Sequence, residues 1–407
     1  MKEYLLIKQG RIHNAKEEEP MVADILIGDG LIKKIAPVLD GKIVNEAKVI
    51  DAAGLEVYPG FVEAHCHLGL DGYAIGYVGQ EFNEMNDCLT PELSAIDGIN
   101  PMDPTFHQAV KGGITCVATG PGSSNVLGGT FCAIKTAGHR IDDMIVREKI
   151  GMKCAFGENP KNCYKQTSIY SRMTIAAKLR GALKQAQVYN QKKEALSRGQ
   201  ESHEENAQIP EFYDQKMEAL VPVVAGELPL KAHCHRADDI FTAIRIAREF
   251  HIQVAIDHCT DGQLIVEDLA REGISCAVGP SFGHASKEEL YHKSFRTPGI
   301  LADAGINVAI ITDSPVVEQR YLRLCAAMAI REGMKEFDAL KAITINAARH
   351  IGVEDRVGSI EEGKDGDLVI FQGSPFQVDS HVRYTIINGT IVYELEDENL
   401  VKNLNNV

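Results

Sequence analysis

The sequence predicts an α/β fold: a (β/α)8 barrel of the TIM type carrying a small β-sandwich built from both chain termini. Three observations predict it. Short apolar strands alternate with amphipathic helices through the middle of the chain, the pattern of a parallel sheet closed by crossover helices. Both ends read instead as strands joined by Gly and Asp turns. The chain has 407 residues, too long for one small domain and comfortable for a large barrel plus a smaller module.

Residues 1–58 open with YLLIKQGRI, ADILIGDGLIKKIA and AKVIDAAGLEVYPG, short runs of alternating polarity. Residues 351–407 close with GDLVIFQG and VRYTIINGTIVYEL. Each end alone buries too little to be stable, so the two are expected to share one sandwich. Between them, residues 59–350 offer eight candidate barrel strands: FVEAHCH, ITCVATG, FCAIKTA, MKCAFGE, LKAHCH, QVAIDHC, ISCAVG and NVAIITD. Helical stretches such as IFTAIRIAREFH and QLIVEDLAREG separate several of them, the latter stopped by Gly273. The polar, Gln/Glu-rich segment from Tyr189 to Glu211 reads as an exposed helix extension and a loop without catalytic content.

Composition narrows the partners. Hydrophobic residues make up 44% and charged residues 24%, an ordinary globular balance. The formal net charge of -15 repels phosphate backbones, so no nucleic-acid partner is expected, while a locally positive pocket remains open to a small-molecule substrate. No apolar run reaches the ~18 residues of a membrane span, so no membrane partner is expected. The N-terminal apolar run is broken by Lys8 and Arg11 and makes a poor signal peptide. Ten cysteines without a CxxC pair suit small buried side chains in a reducing cytoplasm.

The chemistry is expected where strands end. In a parallel barrel, active sites gather at the C-terminal ends of the strands. Five candidate strands end in metal-ligand types: His65 and His67, Glu158, His233 and His235, His258, and Asp313. His65 and His67 are two apart and face the same side of a strand, where two imidazoles can chelate one cation. A set rich in His and carboxylate, without cysteine, suits an open catalytic site better than a closed structural one. Other histidines, His350 among them, fall outside this pattern and read as surface or packing residues. The run TGPGSSNVLGGT reads either as a substrate-facing loop or as plain turn chemistry, and it lacks the GK[ST] of a phosphate-binding loop.

The segments PGFVEAHCH, LKAHCH, AIDHC and ITDSP, with the tail ITINAARHIGVEDRVGSIEEGKDGDLVIF, resemble the metal-dependent amidohydrolase superfamily in order and spacing over nearly the whole chain. The branch that looks most similar is the imidazolonepropionase-like amidohydrolases. The resemblance implies that His65, His67 and Asp313 hold the more buried metal, and that His233 and His258 hold a second. Many binuclear members bridge the two ions with a carboxylated lysine after the fourth strand. This chain offers GENPK there, so Glu158 is the preferred bridge, needing no modification, with a carboxylated Lys161 as the competitor. The implied cofactor is a divalent metal, zinc by preference with iron, manganese and cobalt open, at one or two ions per chain.

Asp313 is expected to act also as the general acid/base, taking a proton from the attacking water and passing it to the leaving nitrogen; the alternative is a cap on the turn before Pro315. His235 is expected to contact substrate or stabilise the transition state, or else to support a ligand. Arg236 either pairs with a substrate carboxylate or starts a helix paired with Asp238 or Asp239. The expected activity is hydrolysis of an amide or cyclic amide C–N bond, with a mononuclear deaminase or deacetylase, or a non-catalytic scaffold, as alternatives. Related enzymes imply a homo-oligomer.

Overall fold

The computed structural model describes residues 4–40, 46–73, 76–199 and 213–395. Five strands open the chain: β1 (Tyr4–Ile12), β2 (Met21–Gly28), β3 (Leu31–Ala36), β4 (Lys48–Asp51) and β5 (Glu56–Pro59). Eight follow through the middle: β6 (Phe61–Cys66), β7 (Ile114–Thr119), β8 (Leu127–Lys135), β9 (Ile145–Ala155), β10 (Leu230–Cys234), β11 (Val254–His258), β12 (Cys276–Val278) and β13 (Val308–Ile310). Three close the chain: β14 (Leu368–Gln372), β15 (His381–Ile387) and β16 (Thr390–Glu394).

The terminal strands come together as expected, because neither set has a second apolar face of its own. Antiparallel pairing of β5 with β14 joins the two ends, and Ile7, Ile25, Val57, Leu368 and Ile370 share one buried cluster. Hydrogen bonding gives the order β16-β15-β14-β5-β1-β2-β3, with β4 also on β1. The expected sandwich is thus a single hydrogen-bonded sheet branched at β1.

The middle strands form the barrel, in the order β6 to β13. Helix Ala237–Phe250 illustrates why its helices pack: Ile240, Ala243, Ile244 and Ala247 recur at helical spacing and are buried. It stops at His251, which takes the left-handed conformation (φ 55). All eight expected strands are present, but the third departs from strict (β/α)8 order: β8 runs antiparallel to both neighbours. The physical reason is the connection. A parallel crossover needs roughly a dozen residues or more, and the short Gly-rich link before β8 permits only a hairpin. The C-terminal end of β8 therefore lies at the opposite rim, where Lys135 Nζ meets Asp365 and Asp367 at 2.8 and 2.7 Å beside the start of β14.

No ladder bonds join β13 to β6 among the described residues. A carboxylate closes this seam. Glu63 Oε2 accepts from Thr312 N at 3.0 Å, Thr312 Oγ1 at 2.6 Å and Gln319 Nε2 at 3.0 Å, and burial raises the Glu63 carboxyl to about 7. Helix Arg172–Gly199 covers the start of the Tyr189–Glu211 segment; residues 200–212 lie outside the described residues. Among the described residues no helix is long and apolar enough to cross a membrane.

Candidate metal centre

Two groups of ligand atoms stand at the C-terminal rim: His65, His67 and Asp313, and beside them His233, His235 and His258. Strand geometry places them. His65 is the last residue but one of β6 and His67 lies one step beyond the strand, and His233 and His235 stand at the same points of β10. The groups adjoin through His258, whose ring centroid lies 5.0 Å from that of His65 and 4.2 Å from that of His233. Asp313 Oδ1 sits 3.5 Å from His65 Nε2 and 3.3 Å from His67 Nε2.

The five imidazoles share an orientation, each with a protein oxygen within 3.0 Å of Nδ1. His67 Nδ1 donates to Gly120 O at 2.8 Å and His258 Nδ1 to Gly279 O at 2.9 Å. His233 Nδ1 meets Ser123 Oγ at 2.9 Å, His235 Nδ1 meets Thr260 Oγ1 at 2.8 Å, and His65 Nδ1 lies 3.0 Å from Asp257 Oδ2. A carbonyl can only accept, so it fixes the Nδ1–H tautomer and leaves the Nε2 lone pair for a cation. The Nε2 atoms of His233 and His258 are buried without any hydrogen-bond partner. An orphaned buried acceptor is costly unless something fills it, so this donor set fits a metal.

The electrostatics agree. Burial pushes His258 down to about 4 and holds His65, His233 and His235 well below the usual imidazole range, keeping them neutral and able to ligate. Burial works against charge on Asp313, but His258, His67 and His65 outweigh it and hold the carboxyl well below the usual range. Asp313 is also the open member, with 16% of its side chain exposed against 0% for His65. Its backbone and that of His258 take the left-handed region (φ 50 and 73), a strained conformation for non-glycine residues of the kind that clusters at functional sites.

Several expectations are corrected. Glu158 does not reach either group: its Oε1 caps the backbone N–H of Glu289 at 2.9 Å, and its own N–H donates to Glu289 Oε2. Lys161 follows it on helix Glu158–Tyr164, beyond the strand end, and belongs to neither group. The residue that reaches the centre from the fourth strand is Lys153, whose Nζ lies 3.4 Å from His65 Nε2 in the barrel interior. Burial pushes its ammonium down to about 8. His235, expected as a substrate contact, has its ring inside the second group. The guanidinium of Arg236 is taken by Asp238 in a bidentate pair at 3.0 Å, the helix-start alternative.

The Gly-rich run has a place in the site. It is the turn into β8, and it supplies Gly120 O and Ser123 Oγ to two of the imidazoles. Sequence reasoning also missed Lys231 and Asp257, joined at 2.8 Å behind His65. The available signal was register: Lys153 and Lys231 pair directly across β9 and β10, two buried lysines at one level of the barrel.

A model of the amidohydrolase family matches residues 145–392. The chain belongs to that family. Among solved amidohydrolase structures, one from Thermotoga maritima MSB8 aligns at TM-score 0.90 and 37% identity, over 96% of this chain and 100% of that one. Amidohydrolase tasK of Hapsidospora irregularis is 28% identical over 399 residues, 92% of this chain and 40% of its own length. Imidazolonepropionase of Thermoplasma volcanium is 32% identical over 110 residues, 25% of this chain and 27% of its own length. This chain therefore matches less than half the length of these two curated relatives.

Proposed function

We propose that this protein is a metal-dependent hydrolase that cleaves an amide or cyclic-amide C–N bond in a small-molecule substrate. The observation that carries the reading is the common orientation of five imidazoles, each Nδ1 backed by a protein oxygen, around one open carboxylate, with the Nε2 atoms of His233 and His258 buried and unpartnered. His65, His67 and Asp313 would hold one divalent cation, and His233 and His258, with His235 in reach, a second. The set suits zinc, with iron, manganese and cobalt compatible. A cation held there supplies Lewis acidity to the substrate carbonyl and the attacking water.

The chain's own groups do the rest. Asp313, ionised and partly open, accepts a proton from the attacking water at its carboxylate and returns it to the leaving nitrogen. Lys153 is the residue placed to supply the ligand first expected of Glu158 or Lys161: carboxylation of its ε-amine by CO2, with an N–C bond formed and a proton released, would make it an anionic oxygen ligand beside His65. The adjacency of the two groups through His258 favours a binuclear centre over the mononuclear deaminase or deacetylase reading. Metal-loaded protein, screened on N-acyl amino acids and cyclic amides, should hydrolyse members of one class, and metal-stripped protein and Asp313→Asn should not. Full turnover by the stripped protein would overturn the reading.

A further inference from the structure

Behind the metal centre runs a line of buried polar groups that this chemistry does not use. Asp257, next to His258 on β11, is fully buried. Its Oδ2 lies 3.0 Å from His65 Nδ1. Its Oδ1 accepts from Lys231 Nζ at 2.8 Å and from His350 Nε2 at 3.1 Å. His350 ends helix Ile345–His350, and its Nδ1 meets Ser275 Oγ at 2.7 Å; that hydroxyl in turn accepts from Asn307 Nδ2 at 2.8 Å. Ser275 and Asn307 precede β12 and β13, so the line enters at the strand-start rim and ends at His65.

The torsion that orients an aspartate carboxylate is soft, so its partners set the plane. Lys231 cannot set it alone, because an ammonium is a rotatable point donor that is also shared with Ala64 O at 2.9 Å. The imidazole of His350 is planar and held at both nitrogens, so its N–H gives Oδ1 a fixed direction. The direction of Oδ2 toward His65 follows, and with it the ring plane of His65.

We propose that His350 is a positioning residue for the metal centre: acting through Asp257, it fixes the tautomer and ring plane of His65, so that His65 Nε2 meets the cation of the His65–His67–Asp313 group. The inference rests on the metal-hydrolase reading, and it assigns a role at the centre to a histidine that belongs, by position in the sequence, to no strand end.

The test is titration of Co2+ into metal-stripped, full-length wild type, His350→Gln and His350→Leu, followed by the visible absorption of the bound ion. Glutamine keeps an N–H donor for Asp257 and leucine does not. The expected result is a loss of about ten-fold or more in affinity for one Co2+ in His350→Leu, with an altered spectrum, and recovery to within about three-fold of wild type in His350→Gln. Equal affinity in all three proteins, or an equal loss in both variants, overturns the proposal, because packing alone would not distinguish the two side chains by their donor. If His350→Leu does not fold, Ser275→Ala, which removes the partner of His350 Nδ1 together with its bond to Asn307, carries the test: weaker Co2+ binding supports the proposal and unchanged binding overturns it. A wild type that binds Co2+ beside unaffected variants defeats this inference alone; a wild type that binds none defeats the metal-hydrolase reading and this inference with it.

Discussion

Lys153 and Asp313 carry the sharpest expectations at the scale of single residues. Lys153 is fully buried, with Nζ 5.4 Å from the Phe131 ring centroid and 3.4 Å from His65 Nε2. Lys153→Met should therefore fold and lose metal, with turnover down about 10²-fold or more. Circular dichroism and steady-state rates check both halves. Asp313→Asn keeps the shape of the side chain and removes its proton chemistry; turnover should fall about 10²–10⁴-fold while the protein still binds metal, checked by elemental analysis beside the rate. The grouping of His65, His67, His233, His258 and Asp313 was legible because a polar, ligand-type side chain at a strand's C-terminal end interrupts an apolar run. Lys153, Lys231, Asp257 and His350 were not, because their partners come from other strands and a helix distant in sequence. Only register, which the chain alone does not display, brings them together.

At the scale of elements, the turn into β8 shows what spacing can and cannot reveal. Its glycines predicted a tight approach. At Gly120 an added Cβ would lie 2.3 Å from the Phe131 ring, which explains the glycine, while its carbonyl aims His67. The antiparallel direction of β8 followed from the shortness of the link, but the alternation of apolar segments is the same for either strand direction. Ser123→Ala removes the partner of His233 Nδ1 and should weaken the second cation about ten-fold, read by isothermal titration of metal-stripped protein.

The segment entering β14 offers a pH test. Hydrogen bonds from Ser359, Lys364 and Lys16 hold the Glu361 carboxyl down at about 2, opposed by slight burial. A folded value below the unfolded one gives stability that is complete above the unfolded pKa and lost as pH falls toward the folded one. The wild-type Tm should thus drop more steeply than that of Glu361→Gln between about pH 4.5 and about pH 2, and the two should run parallel above that window.

At the scale of the whole molecule, the barrel and the sheet built from both termini are locked by Lys135, whose ammonium is buried between Asp365 and Asp367, with Arg356 beside Asp365 at 2.8 Å. Removing a buried partner leaves uncompensated charge, so Lys135→Ala should cost about 3–5 kcal/mol, measured by urea unfolding. The architecture was readable because hydrophobic periodicity separates strand-rich ends from an alternating middle; the branching at β1 was not, since pairing partners do not follow from composition. The central claim, a binuclear centre bridged from the fourth strand by Lys153, is tested most directly by metal content per chain in wild type, Glu158→Gln and Lys153→Met prepared side by side. The account predicts about two equivalents in the first two and one or none in Lys153→Met. Equal content in Lys153→Met and wild type, or no metal under any loading condition, would contradict it.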